Sequence, residues 1–305
     1  MNPEELLQKY AAGERDFSSF KLIGVNLERV NLSGADFTQT NLSRANLFQA
    51  NLSRATLGWA NLNEICLEGA DLRGTDCCGA DLIGANLSAA DLSLADLMAA
   101  DLSKANLMMA RLIGTELIGA KLTHAILIGG NLQGADFIGA DLTRVNLSNT
   151  SLYQANFSEA NLQGANFHGA LYSEDTIFPD NFNPLEAGAY LIAPNVSIIG
   201  VNLSRVQLLG VNLEGANLAY TDLRQSNLLW ANLRGANLHR TNLSGANLSG
   251  ANLKDANLNE TNLEGANLTG TIMPDGKTHK VSKKYYYSGE TLKKKLKLAQ
   301  NKLIL

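Results

Sequence analysis

A chain of 305 residues with 45% apolar and 18% charged side chains can bury a substantial core, and a formal net charge of −4 does not mark a general binder of nucleic acid. No apolar run approaches the length of a membrane span. The acidic start at Met1-Asn2-Pro3-Glu4-Glu5 lacks the apolar centre of a secretion signal, and the three cysteines (Cys66, Cys77 and Cys78) fit neither a disulfide framework nor a metal site, so a reduced, cytoplasmic compartment is predicted.

Residues 1–14 predict a short N-terminal cap helix. Asn2 is the candidate N-cap, Pro3 suits the first helical position, and Glu4 and Glu5 favour the positive end of the dipole. Leu6, Leu7, Tyr10 and Ala11 supply one apolar face and Gly13 ends the helix. Its expected task is to plug the open end of the adjoining tract and to hide a sheet edge.

Residues 15–172 repeat one five-residue phrase, Ala–(Asn or Asp)–Leu–X–X. Ala80-Asp81-Leu82-Ile83-Gly84 is followed by Ala85-Asn86-Leu87-Ser88-Ala89 and by Ala90-Asp91-Leu92-Ser93-Leu94. Leucine or a stand-in recurs at every fifth residue from Leu22 to Phe167, the stand-ins being Phe37, Cys77, Phe137, Phe157 and Phe167. Residues five apart point to opposite faces of a strand, and lie about 140° apart on a helix, so neither element can bury all these leucines. A path that turns a corner every fifth residue can. Four sides make a square coil, and each side sends one leucine inward. The small residue two positions earlier (Ala35, Ala45, Ala80, Ala100, Ala140) also points in, while the Asn or Asp between them points out. The two residues after leucine form the corner, where Gly34, Gly74, Gly84, Gly134 and Gly164 fit a tight turn. One such coil buries too little to stand alone, so coils must stack in a long tract.

This A-(N/D)-L-X-X tandem resembles the pentapeptide-repeat family. The resemblance implies an all-β fold, a right-handed quadrilateral parallel β-helix. The lead-in from Glu5 to Phe17 is similar to cyanobacterial members. The resemblance also implies roles by binding: some members mimic B-DNA and bind DNA gyrase.

Within the tract, Phe20, Val25 and Val30 replace the inward alanine in the first coils, as expected of an irregular end. Ile65, Gly130, Val145, Thr40, Thr75, Thr115 and Thr150 are the later departures, and Cys77 reads as a small core residue rather than a nucleophile. Each side recurs every fourth unit. One outward ladder carries Asn26, Asn46, Asn86, Asn106, Asn146 and Asn166, interrupted by Cys66 and Ile126, and its amides can bond along the ladder. Another is mostly acidic: Asp36, Thr56, Asp76, Asp96, Glu116, Asp136 and Asn156. Met98, Ile118 and Ile138 lie one corner position on, with Met108, Met109, Ile113 and Ile128 on neighbouring faces. Asp76, Asp96, Glu116, Asp136, Met98, Ile118 and Ile138 are therefore the candidate partner surface. The competing reading is that the aliphatic ladders simply zip the coils together.

Residues 173–197 break the phrase and predict a connector or cap containing Pro179, Pro184 and Pro194, with one helical turn from Asn183 closed by Gly188. The leucine phase slips by one residue across it. Thr176-Ile177-Phe178-Pro179-Asp180 parallels Thr271-Ile272-Met273-Pro274-Asp275, as if both tracts close with one exit phrase. Residues 198–275 predict a second solenoid whose outward position is almost always asparagine, with Tyr220 and Trp230 at corners. Residues 276–305 form a Lys-rich tail, with Leu292, Leu296, Ala299 and Leu303 at the spacing of a basic C-terminal helix. That tail either caps the last coil, reaches an acidic partner, or lies on an anionic membrane surface.

No catalytic constellation is present in the sequence. His124, His168, His239 and His279 are dispersed, and there is no P-loop, dinucleotide-binding loop or nucleophile elbow. The expectation is no enzyme, no catalytic residue, no cofactor and no metal. The expected role is a scaffold that binds an unidentified protein partner through its outer faces, without direct nucleic-acid binding; self-association is open. Two alternatives stand. The run Glu64, Glu68, Asp71, Asp76, Asp81, Asp91, Asp96 and Asp101, against Arg73 alone, favours a DNA mimic acting on a protein such as DNA gyrase. The basic tail favours a membrane-surface scaffold.

Overall fold

The computed structural model describes residues 1–279, so the predicted C-terminal helix and most of the Lys-rich tail lie outside the described residues. The chain divides into two compact units, Met1–Ala189 and Tyr190–Leu305. The division falls inside the segment expected as a connector.

Both units are built by one rule. Outward residues form single parallel bridges to the residue 20 positions on, as in Asp81↔Asp101 and Asn86↔Asn106, with one 21-residue exception described below. The Leu82 N–H donates to the Asp101 carbonyl at 2.8 Å, and the Asp101 N–H donates back to the Ala80 carbonyl at 3.0 Å. The pairing stops there because a corner intervenes. The Ala85 N–H closes a β-turn on the Leu82 carbonyl at 3.0 Å, and Gly84 in that turn has φ 66°. Positive φ at the third turn residue is the requirement of type II geometry. Many corners meet it without glycine: Ala89, Leu94 and Met109 have φ 56°, 61° and 58°. An L-residue there costs about 1–2 kcal/mol. The conformation persists because stacked coils over-determine it: the Ala89 and Leu94 N–H groups donate to the carbonyls of Met108 and Ile113 at 2.8 and 2.9 Å.

The columns predicted to face inward do so. Leu82 is 2% exposed, and Leu102 and Leu122 are 0% exposed. The threonines in the alanine slot are buried without loss of a hydrogen bond. Thr40 donates to the Phe17 carbonyl at 2.6 Å, Thr75 to Leu72 at 2.7 Å and Thr115 to Leu92 at 2.8 Å. Cys77 sits fully inside, where burial pushes its thiol up to about 12 and leaves no thiolate at neutral pH.

The first unit is closed at both ends by its own chain. Helix α1 (Pro3–Ala11) is capped by the Asn2 side chain, which accepts the Glu5 N–H at 2.8 Å. Leu6 is buried and the Tyr10 hydroxyl donates to the Ser33 carbonyl at 2.9 Å, whereas Ala11, expected on the apolar face, is exposed. Val25 and Val30 are only half-buried, and Phe20, expected to face inward with them, is 37% exposed, because an end coil has a neighbouring coil on one side alone. At the other end Phe137, Phe157 and Phe178 continue the core as a ring stack, with centroid spacings of 4.9 and 5.5 Å, and Phe182 stacks on Phe178 at 5.3 Å. The slipped residue can be placed. Ser151 pairs with Leu171, but Asn156 pairs with Ile177, so one side of the coil is a residue longer than the rest. Beyond it, the Asn183 Oδ1 accepts the Leu185 N–H at 3.1 Å and caps a single turn.

The second unit runs from the Ser197↔Asn217 bridge to Asn252↔Ile272 and closes with an antiparallel Ile272↔Thr278 bridge. The two exit phrases act alike. Thr176 donates to the Leu152 carbonyl at 2.8 Å and Thr271 to the Leu248 carbonyl at 2.6 Å, and the isoleucine after each makes the last outward bridge to the preceding coil.

Candidate partner surface

The preference for Asn or Asp in the outward position has a local cause that period alone did not reveal. Its side-chain oxygen accepts the N–H two residues on, so it braces the corner as an Asx-turn. The Asp76 Oδ1 accepts from Cys78 at 2.9 Å, Asp96 from Met98 at 2.8 Å and Asp136 from Ile138 at 3.0 Å. The sequence signal was the fixed spacing between that residue and the corner. Glu116, a methylene longer, makes no such bond among the described residues and is exposed.

The bridges Asp76↔Asp96, Asp96↔Glu116 and Glu116↔Asp136 bring the predicted carboxylates into one column. Met98, Ile118 and Ile138 form the adjoining column. All three are half-buried, because each stands beside its neighbour about 4.8 Å away along the axis. The aliphatic ladder therefore also helps join the coils. The next column is nearly without side chains: Gly79, Ala99, Gly119 and Gly139. It leaves a flat shelf beside the apolar stripe. Trp59 stands one coil before Gly79 in that column, 66% exposed, with its ring laid over Gly79 so closely that an added Cβ would meet it at 2.7 Å. Sequence reasoning missed Trp59, although its 20-residue step to Gly79 and Ala99 was readable. Cys78 stands above Met98, its thiol pushed up by desolvation and then by the Asp96 and Asp76 carboxylates. Two strongly exposed apolar side chains, Leu94 at 74% and Met109 at 55%, belong to other corners.

The asparagine ladders bond as expected. Asn46 donates to Asn26 at 2.9 Å and Asn106 to Asn86 at 3.2 Å; in the second unit Asn237 donates to Asn217 at 2.9 Å and Asn257 to Asn237 at 3.0 Å. An amide ladder satisfies itself, whereas a carboxylate ladder has acceptors only.

The acidic run is less bare than the sequence suggests. Arg73 forks onto Asp71 at 2.8 and 2.6 Å, Arg111 lies 3.3 Å from Asp91, and Arg44 lies 2.9 Å from Glu64. The Arg73 hydrogen bond holds the Asp71 carboxyl below the usual range, and Arg224 does the same to Asp222. A carboxylate depressed in the folded state stabilises the fold above its unfolded pKa, near 3.9, and that contribution fades as pH falls through the folded value. The urea midpoint should therefore drop on acidification below about pH 4. The Arg73→Gln/Arg224→Gln variant should lose less than the wild type over the same interval; equal losses would show that these pairs do not contribute.

Among the described residues no group of three His, Cys, Asp or Glu side chains is placed to hold a metal, and no helix is long and apolar enough to cross a membrane. The pentapeptide-repeat family model matches eight times, over residues 16–49, 50–88, 60–97, 79–112, 105–144, 140–170, 195–228 and 231–270. Among solved structures, HetL from the cyanobacterium Nostoc sp. strain PCC 7120, described as involved in regulating heterocyst differentiation, is 31% identical over 92% of this chain and 100% of its own, with a TM-score of 0.34. The Nostoc protein alr5209 is 30% identical over 62% of this chain and 95% of its own, at a TM-score of 0.15. QnrB1, a plasmid-mediated fluoroquinolone resistance protein, is 18% identical over 53% of this chain and 92% of its own, at 0.35. No curated protein matches the chain. The phrase read from the residues, the bridges it makes from coil to coil and the repeated family match agree, and the chain belongs to the pentapeptide-repeat family.

Proposed function

We propose that this chain is a non-enzymatic cytoplasmic scaffold. On a right-handed coil of the family type, it binds a protein through the face bearing Asp76, Asp96, Glu116, Asp136, Met98, Ile118 and Ile138. The observation that supports this is the contiguity of the acidic column, the apolar column and the bare shelf of Gly79, Ala99, Gly119 and Gly139. A partner that fits presents apolar side chains flanked by cations. The leucine and alanine columns fill the interior, and Asp76, Asp96 and Asp136 are engaged in corners, which suits a binding surface better than a site of chemistry.

Affinity capture from source-cell extract with the full chain tests this reading. A protein retained by the wild type should fall at least about tenfold with Met98→Lys/Ile118→Lys, and should persist with the control Asn247→Lys in the second unit. Equal recovery with both variants would move the interface elsewhere.

The acidic run favours a second reading, mimicry of DNA toward a protein such as gyrase. Arg44, Arg73 and Arg111 offset part of that field, and the second unit is rich in neutral asparagine. A supercoiling assay should therefore be unchanged by the protein, and inhibition would favour mimicry over the scaffold.

A further inference from the structure

Each unit carries a cleft in which the same serines and arginines recur in the same places, while Gly74 and Leu94 of the first give way to Gln225 and Gly245 in the second. In the first unit Ser53-Arg54, then Arg73-Gly74 one coil on, then Ser93 one coil further, line a cleft of about 540 Å³. In the second, Ser204-Arg205, Arg224-Gln225 and Ser244 line one of about 380 Å³. The backbone repeats as well. The Arg54 N–H donates to the Arg73 carbonyl at 2.9 Å, and the Arg205 N–H to the Arg224 carbonyl at 2.8 Å. Arg54 and Arg205 share the left-handed corner conformation, with φ 59° and 63°.

The two arginines of each cleft are held differently. Arg73 is pinned through Nε and Nη2 to Asp71 at 2.8 and 2.6 Å; Arg224 is pinned the same way to Asp222 at 2.9 and 2.6 Å. In both forks Nη1 is left over. The Arg54 side chain has no hydrogen bond or ion pair among the described residues, and that of Arg205 uses only its Nε, on the neutral Gln225 amide at 2.9 Å. Asp91, which accepts from the hydroxyl of the lining residue Ser93, is also engaged by Arg111 at 3.3 Å. Each cleft thus holds one immobilised guanidinium whose charge is matched and a second whose charge is not.

A guanidinium presents donors in a planar fork that suits phosphate oxygens, and a pinned one loses little side-chain entropy on binding. We infer that each cleft is a binding site for a phosphate-class oxyanion, gripped between Arg54 and Arg73 in the first unit and between Arg205 and Arg224 in the second. The unmatched arginine sets the sign of the ligand. The carboxylate that pins its neighbour limits the affinity, and salt screens an open cleft, so the sites are weak and sensitive to ionic strength. Free phosphate and a phosphoryl group on a peptide share this chemistry.

The test titrates the full ¹⁵N-labelled chain and follows arginine side-chain Nε–H signals at constant ionic strength, with chloride as reference. Inorganic phosphate should perturb two sets of signals. Arg54→Gln should remove the first set and Arg205→Gln the second, each weakening its own site at least about tenfold and sparing the other. Glutamine already occupies this corner at Gln39 and Gln49, with φ 57° and 53°, so the variants should fold. A phosphoserine peptide that binds more tightly than phosphate would identify a phosphorylated partner as the source; equal binding would identify the free anion. Perturbations no larger than those of chloride, or the same perturbations in the Arg54→Gln/Arg205→Gln variant, would overturn the inference.

Discussion

Replacing Leu102 with aspartate should abolish cooperative folding of the first unit. Leu102 is completely buried in the middle of a leucine column, with coils on either side. Truncation to alanine leaves a cavity and should cost about 2–5 kcal/mol. Aspartate adds an unpaired charge with no donor nearby, since the column around it is aliphatic and the main-chain N–H groups are committed to adjacent coils. A coil that fails also deprives both of its neighbours, because stability in a stacked repeat is shared between adjoining turns. Urea unfolding should show Leu102→Ala with a lowered midpoint and Leu102→Asp with no cooperative transition from the first unit. The control is Ala89→Asp, at an exposed corner whose left-handed conformation aspartate tolerates; it should stay within about 0.5 kcal/mol. A Leu102→Asp protein as stable as that control would contradict the buried column.

Phe178→Ala should loosen the closing end of the first unit by about 3 kcal/mol and leave its middle intact. The ring lies 5.5 Å from Phe157 and nearly parallel to it, at 6°, and it also meets Phe167, Tyr172 and Phe182. Without it the last core ring faces solvent and the final bridge, Asn156↔Ile177, loses its cover. Hydrogen exchange should accelerate at the amides of Phe157 and Ile177, which bond the adjoining coil at 2.8 and 3.0 Å, while the Leu82 amide keeps its protection. Uniform acceleration along the unit would mean that Phe178 supports the whole stack and not one end.

How far the molecule was legible depends on the range of each interaction. The Asn2 cap and Pro3 start of α1, the inward leucines, the amide ladders and the burial of Cys77 all derive from residues close in sequence or from one repeated spacing. The acidic column of Asp76, Asp96, Glu116 and Asp136 was equally readable, because a 20-residue step places them together. What escaped was the use made of those side chains. Their Asx-turn bonds depend on the corner conformation, and the half-burial of Met98, Ile118 and Ile138 depends on how tightly successive corners approach. Trp59 was passed over because its importance lies in the glycine one coil away.

The repeating corner, the aliphatic interior and the outward polar ladders are written in the residues themselves, because a five-residue period admits no other way to hide every leucine. Only the folded chain settles which arginines pin which carboxylates, where the extra residue of the first unit is absorbed, and how Phe178 and Phe182 seal its end. Apart from the forks of Arg73 and Arg224, which are local, those outcomes rest on side chains from different coils, as in Arg44 with Glu64 and Arg111 with Asp91, and on the irregular segment after Leu171, whose positions are set only once the turns have stacked. Periodicity is local and repeated many times, so it survives substitutions at single units. An ion pair between Arg111 and Asp91 or a ring on Phe157 is a single contact, and no period announces it.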